Sequence, residues 1–443
     1  MIENLNRRPI WEHARAFLHQ TGGRFPGSPG RSDGIRNERI SGPAELWNVR
    51  GGMIVLVTET TFPPTGRGNL RLVKLARELA NNGKDVIIFT PSYLPWQRQE
   101  HGGEGPGFIQ FSGFGKLLYG RLRLFIRTFH ILSGLIAVSL VARKYRIQAF
   151  HGWNTLSGFS TMLFAKYLDV PFSVDFTDLY STIAEGDSPL VAGIFRSFEL
   201  SVSKRADHVF AVSGEMKKIL EKDFCNASKI MVVPDGTDFV QLESSMKTEV
   251  DKLRKDLQLE GSKVCIFHGD AKPNDGLEVL IDAFALLGEK GYRAKLLILG
   301  ESRWPSRYVA SHPYRHLLEK DVILVDWVPL DMVPHYLALA DVGVLPFKDH
   351  PNNHMCYSFK LLEYLALGKP VVVTNVRTIS KLVRESEVGL IVDFDNPTEI
   401  ARALTTLFDN GELASRMGER GKRLVESRFR WDKVLKEEVE AYA

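Results

Sequence analysis

The chain has 443 residues, 44% hydrophobic and 25% charged, which is too long for one ordinary core and reads as a soluble globular protein of two or three domains. Its three cysteines, Cys225, Cys265 and Cys356, are far apart with no C-x-x-C pair. That argues against a disulfide framework or a cysteine-built zinc site and fits a reducing cytosol. The net charge of +4 is uneven: residues 1–150 hold 21 Lys and Arg against 10 Asp and Glu, the remainder 36 against 43. A basic first third points to an anionic partner, or simply to a solvated basic face.

The opening residues, MIENLNRRPIWEH, lack the apolar core of a secretory signal. Residues 1–52 are rich in Gly, Pro, Ser and Arg and predict a flexible extension. Folded pattern starts sharply at MIVLVT (53–58), and an apolar run opening on Met makes Met53 a candidate for the original start. A helix is predicted over 69–83, stopped by Gly83, and strands over 85–91, 146–153, 171–178, 208–213 and 229–236. The apolar segment 128–142, flanked by Arg and Lys, is too short to span a bilayer. It fits a buried helix or a helix lying on anionic lipid.

A second series follows, with strands at 263–270, 295–301, 322–328, 341–347, 369–375 and 388–394, and helices at 274–291, 331–340 and 359–368. Strands alternating with helices predict parallel sheets, here two doubly wound halves. Boundaries fall at 53–242 and 243–428, with a closing helix over 429–443 that crosses back to the first half. Ligands bind at the carboxyl ends of such strands, so the active site belongs in the cleft between halves.

The most informative stretch is SFKLLEYLALGKPVVVTN, 358–375. Ser358 and Lys360 lie in the first turn of a helix, where backbone N–H groups favour an anion. Glu363 sits about one turn on, roughly on the same face. A cation for a diphosphate and a carboxylate for a ribose diol describe a nucleotide-sugar site; alone, the pair also fits an ordinary surface helix. The pattern S-x-K-x-x-E-Y-L-A-x-G-x-P-V-V resembles the nucleotide-sugar motif of the retaining family 4 glycosyltransferases, of GT-B fold. FPPTGRGNLRLVKLARELANNGKDVIIFTP, ADHVFAVSGEMKKIL, KIMVVPDGTDF, LEVLIDAFALL, VPHYLALADVGVLPF and the closing ERGKRLVESRFRWDKVLKEEVEAY resemble other family segments in the family's order. The likeness covers about 53–443.

The resemblance implies two Rossmann-like domains facing across a cleft. It gives Glu363 to the donor ribose, Lys360 to the diphosphate and Ser358 to the phosphate neighbourhood. Gly66 and Gly68 fall in the glycine loop, where bare backbone N–H groups approach phosphate or sugar. Gly269 ends the first strand of the donor half. The family's first carboxylate of E-x7-E falls on Met355, so that sugar contact is missing or comes from Asn352, Asn353 or His354. Where the family has Arg and Lys, this chain has Asp270 and Asp275; Lys272 or Arg303 could supply the charge. The loop AFHGWNTLSG keeps only one histidine of an H-x-H pattern, leaving His151 as a catalytic or structural group. Asp175 and Asp178 end the next strand and could position an acceptor hydroxyl or stabilise positive charge at the anomeric carbon; Asp178 also suits a helix cap. The D-x-D at 393–395 fits a cap at Asp395 or Asn396 better than a metal site.

The function expected is transfer of a hexose-type sugar, with retention, from a nucleoside diphosphate sugar to a hydroxyl, with no required metal or other cofactor. The acceptor could be lipid-linked, and contact with an anionic membrane at the cytoplasmic face is expected in place of nucleic acid. A sugar-nucleotide 2-epimerase and an inactive nucleotide-sugar binder share the architecture and remain open.

Overall fold

The computed structural model describes residues 52–58, 70–89, 138, 139, 142, 143, 145–185, 188–224, 226–238, 244–300 and 303–442. Residues 1–51, the glycine-loop candidates Gly66 and Gly68 and most of 128–142 lie outside them. Within that last segment, Val138 is described and buried in the core.

Two six-stranded sheets carry the fold. The first comprises β1 (Met53–Val57), β2 (Asp85–Phe89), β3 (Ile147–Trp153), β4 (Phe172–Phe176), β5 (His208–Ala211) and β6 (Ile230–Val232), in the order β2-β1-β3-β4-β5-β6. The second comprises β7 (Lys263–Gly269), β8 (Ala294–Gly300), β9 (Val322–Val325), β10 (Val342–Leu345), β11 (Val371–Thr374) and β12 (Gly389–Val392), in the order β12-β11-β10-β7-β8-β9. Every pairing is parallel. The cause is visible in the strands: alternate residues face opposite sides, and both sides are covered. Val55 and Val57 face one apolar cluster while Ile54 and Leu56 face another. Val264 and Ile266 are divided from Cys265 and Phe267 in the same way. β9 and β12 are shorter than the apolar runs at 322–328 and 388–394. Both are edge strands with a single partner, and the run after β9 carries Trp327 at 61% exposure.

The chain's end returns to the first half. Trp431, Val434, Leu435, Val439 and Tyr442 pack with Ile54, Leu56, Leu72 and Leu75. Gly236 makes room for this, because a Cβ there would meet the Trp431 ring at 2.8 Å. The helix Leu70–Asn81 stops before Gly83, whose φ of 76° is left-handed. Asn396 accepts from the Glu399 N–H and caps the helix Pro397–Asp409. No helix among the described residues is long and apolar enough to cross a membrane.

Candidate functional site

In the second sheet the strand order reverses between β7 and β10, the place where open α/β sheets bind ligands. β7 ends at His268 and Gly269, and the chain then turns through Gly276 into the helix Leu277–Glu289. Gly276 has φ 66°, and any Cβ there would run into the Pro346 carbonyl after β10. The two loops are therefore pressed together by a glycine that no other residue replaces without strain.

The helix Phe359–Ala366 lies over this junction. Ser358 stands at its N-cap position in extended conformation, without a side-chain capping bond. Lys360 reaches back across Gly269: a Cβ on that glycine would stand 3.0 Å from Lys360 Cε. Its Nζ lies 3.0 Å from Asp275 Oδ2 and 4.5 Å from the centre of the Phe267 ring. Burial pulls the ammonium below the usual lysine value, and Asp275 works in the opposite direction. Asp275, one of the acids that depart from the family's pattern, thus anchors the cation predicted to meet the diphosphate. Asp270 and Lys272 are exposed at the mouth, and Arg303 opens the helix after β8.

Glu363 faces inward at 3% exposure. Its Oε2 lies 2.7 Å from His268 Nε2, while His268 Nδ1 lies 3.0 Å from the Tyr364 hydroxyl, which donates to the Ile266 carbonyl at 3.2 Å. The carboxylate is thereby held in place from the strand side, with the Lys360 ammonium on the same helix.

The first half meets the second through Asp178. Asn154, at φ 60°, accepts from Thr177 N–H, Thr177 hydroxyl and Asp178 N–H at 2.8, 3.0 and 3.1 Å, shaping the loop after β4. The Asp178 carboxylate is pushed up by burial, while a hydrogen bond from Asn352 and the nearby charge of Lys272 oppose the rise. Asp178 does not cap the next helix; Leu179 holds that position. Beside this contact Met355, 1% exposed, sits in the apolar core of the first half, and its carbonyl accepts from the Ser213 hydroxyl. The position where the family carries a carboxylate is here an apolar plug between the halves. Asn353 and His354 are committed too. The Asn353 amide donates to Asn274 and Lys348 carbonyls at 2.9 and 3.1 Å, and His354 Nδ1 accepts from Arg377 N–H.

His151 and Asp175, expected as catalytic groups, lie in the interior at 0% and 1% exposure. Arg71 brings them together with the closing helix. Its guanidinium donates to Asp175, to Glu438 Oε2 at 3.1 Å and to the Pro234 carbonyl at 2.9 Å, and it stands 3.7 Å from Asp235. His151 Nδ1 is 2.7 Å from the Tyr442 hydroxyl. Burial, then Arg71, lowers the imidazole to about 3, which keeps it neutral. Burial raises Asp175 and Glu438 against the pull of Arg71, and raises Asp235 to about 7. Neither His151 nor Asp175 opens to the groove in this structure.

The glycosyl transferases group 1 family model matches residues 249–424 and the glycosyltransferase family 4 model residues 69–241. Between them they take in both sheets except β1. The chain is a group 1 glycosyltransferase. It is 26% identical over 412 residues to the D-inositol 3-phosphate glycosyltransferase of Kineococcus radiotolerans, covering 85% of this chain and 90% of that one. It is 29% identical to TuaH of Bacillus subtilis, assigned as a teichuronic acid biosynthesis glycosyltransferase, over 59% of this chain. That match spans 64% of TuaH's length. Among solved structures, the sucrose-phosphate synthase of Thermosynechococcus elongatus superposes with a TM-score of 0.73 at 20% identity, over 88% of this chain and 98% of that one. The Anabaena protein HepE, solved with UDP-glucose, gives 0.66 at 16% identity over 88% and 98%. At these identities the structures establish the GT-B fold, two Rossmann-like halves across a cleft.

Several residues of this glycosyltransferase escaped the sequence reading. His268 ends an apolar strand and carries no spacing signal toward Glu363. Arg71 and Glu438 did leave a trace. Arg71 shares a helix face with Leu75, and Glu438 lies on the stripe of Leu435, Val439 and Tyr442. A charge on an apolar stripe is costly unless it is paired, so each pointed to a distant partner.

Proposed function

We propose that this glycosyltransferase moves a hexose-type sugar, with retention, from a nucleoside diphosphate sugar held on the second half to a hydroxyl acceptor in the groove. The observation that carries the reading is Lys360 lying over Gly269 at a strand end, with Glu363 fixed by His268 on the same helix. Lys360, the first turn of its helix and the exposed Lys272 supply positive charge where the leaving diphosphate gains negative charge, so transfer requires no metal in this reading. Ser358 and Gly269 line the phosphates, and Glu363 takes the ribose diol. Asp178, half-buried beside Asn352, positions the acceptor hydroxyl or stabilises positive charge at the anomeric carbon.

The acceptor is anionic or membrane-associated in this reading, with the enzyme at the cytoplasmic face. The basic first third supports it, as does likeness to proteins whose names carry inositol phosphate, teichuronic acid and a dolichol-linked saccharide. A thermal-shift panel of UDP, GDP and ADP sugars tests the donor site, since a ligand of the folded state raises the melting temperature. One nucleotide is expected to stabilise the wild type and to lose most of that effect in Lys360→Ala and Glu363→Ala. Equal stabilisation of all three proteins would reject the site.

Met355 supports a second reading, a nucleotide-sugar binder without transfer, because its position gives an apolar plug where the family has a carboxylate. Donor hydrolysis separates the two: turnover of the preferred donor is expected of the enzyme and excludes the binder.

A further inference from the structure

The buried cluster under the closing helix has an imbalance that its own hydrogen bonds do not resolve. Among the described residues, His151 Nε2, Asp175 Oδ1 and Glu438 Oε1 are buried side-chain atoms without a hydrogen-bond partner. Their residues are 0%, 1% and 0% exposed. An unpaired polar atom in the interior is expensive, and the three residues that carry these sit together. One ligand atom from each of the three residues lies within 4.8 Å of the other two, and His151 Nε2 and Glu438 Oε1 are 3.7 Å apart. Three points at that spacing fit in a circle of about 2.8 Å radius, so a small inward shift reaches the ~2.0–2.2 Å bonds that zinc makes to imidazole and carboxylate.

The surroundings are those of ligand support. The second oxygens of Asp175 and Glu438 are both held by Arg71, which leaves Asp175 Oδ1 and Glu438 Oε1 for another partner. His151 Nδ1 lies 2.7 Å from the Tyr442 hydroxyl, and in the tautomer whose Nδ1–H donates to that oxygen Nε2 presents its lone pair, the usual arrangement behind a metal-bound histidine. Charge agrees with geometry. One guanidinium stands against the buried carboxyls of Asp175, Asp235 and Glu438, and a doubly charged cation would neutralise the remainder.

We propose that His151 Nε2, Asp175 Oδ1 and Glu438 Oε1 bind one divalent transition-metal ion, of the zinc class, that pins the closing helix to β3 and β4. One imidazole with two carboxylates suits zinc, manganese or iron(II) better than magnesium or calcium. The site joins residues far apart in the chain, so binding energy appears as stability of the returning C-terminal segment. It lies apart from the donor site and takes no part in sugar transfer.

The test uses the full chain, expressed in zinc-supplemented medium and analysed by elemental mass spectrometry. About one equivalent of metal per chain is expected, falling below about a tenth in Glu438→Gln and His151→Gln but kept in His316→Gln, which alters an exposed histidine. Dialysis of the wild type against 1,10-phenanthroline should lower its melting temperature, and added Zn²⁺ or Mn²⁺ should restore it. X-ray absorption at the zinc edge should show nitrogen and oxygen neighbours without sulfur, a readout that does not depend on either variant folding. Less than about a tenth of an equivalent in the wild type, with no rise in melting temperature on adding Zn²⁺ or Mn²⁺, would overturn the proposal. So would metal retained in both site variants, or sulfur in the first shell. Protons would then be what balances the carboxyls.

Discussion

Each half of the molecule holds a polar centre near the carboxyl ends of its strands, and the two are built on opposite principles. In the second half each acid has one basic side chain against it: Asp275 has Lys360, and Glu363 has His268. Lys360 keeps 16% side-chain exposure, and its partner Asp275 10%. In the first half one guanidinium faces three carboxyls, all behind the closing helix. A balanced, partly open pair can exchange one partner for a ligand's phosphate without stranding a charge. An unbalanced, sealed cluster cannot release anything cheaply, and its chemistry serves cohesion. The same residue types, acids beside a base at strand ends, therefore do different work according to burial and charge count.

The widest expected separation between the two centres is in stability. Arg71→Met removes the only cation paired with Asp175 and Glu438 among the described residues and should cost about 3–5 kcal/mol, read from urea unfolding. A variant as stable as the wild type would show that the cluster does not hold the closing helix. Lys360→Ala should behave in the reverse manner. Its melting temperature should move little, since Asp275 regains water at the groove mouth, while turnover falls about 100- to 1000-fold for want of charge at the leaving group. A stability loss matching that of Arg71→Met, with turnover intact, would erase the distinction.

Much of this was legible before any coordinates. The strand runs are apolar on both faces because both faces are covered, which is why twelve strands stood out, though interior strands such as β4 (Phe172–Phe176) and β10 (Val342–Leu345) also end short of their apolar runs. The placement of Lys360 and Glu363 on one helix was legible because three positions separate them. What stayed hidden depends on long-range packing. Arg71 and Glu438 are 367 positions apart, and His268 and Glu363 95. His151 stands as a catalytic candidate through the likeness of its loop to an H-x-H pattern, whereas its buried contact with Tyr442 comes from the far end of the chain. Met355 was visible as a departure, but its role as a plug needed the opposite core.

Finer comparison comes from within the donor site. Glu363→Gln keeps the shape and removes the charge, so the preferred nucleotide sugar should bind about tenfold or more weakly in calorimetry, as for loss of a charged hydrogen bond. Unchanged affinity would place the ribose elsewhere.

The smallest effect is expected from Tyr364→Phe. The hydroxyl lies behind His268 and donates to the Ile266 carbonyl, so it touches no ligand directly. Its loss should cost about 0.5–1.5 kcal/mol, the worth of one neutral hydrogen bond, and appear as a few-fold weaker nucleotide affinity with turnover preserved. The ordering against Glu363→Gln carries the information. If Tyr364→Phe were the more damaging of the two, the orientation of His268, rather than the carboxylate charge, would govern the grip on the ribose. The donor centre would then resemble the sealed cluster in depending on a relay fixed from inside the fold.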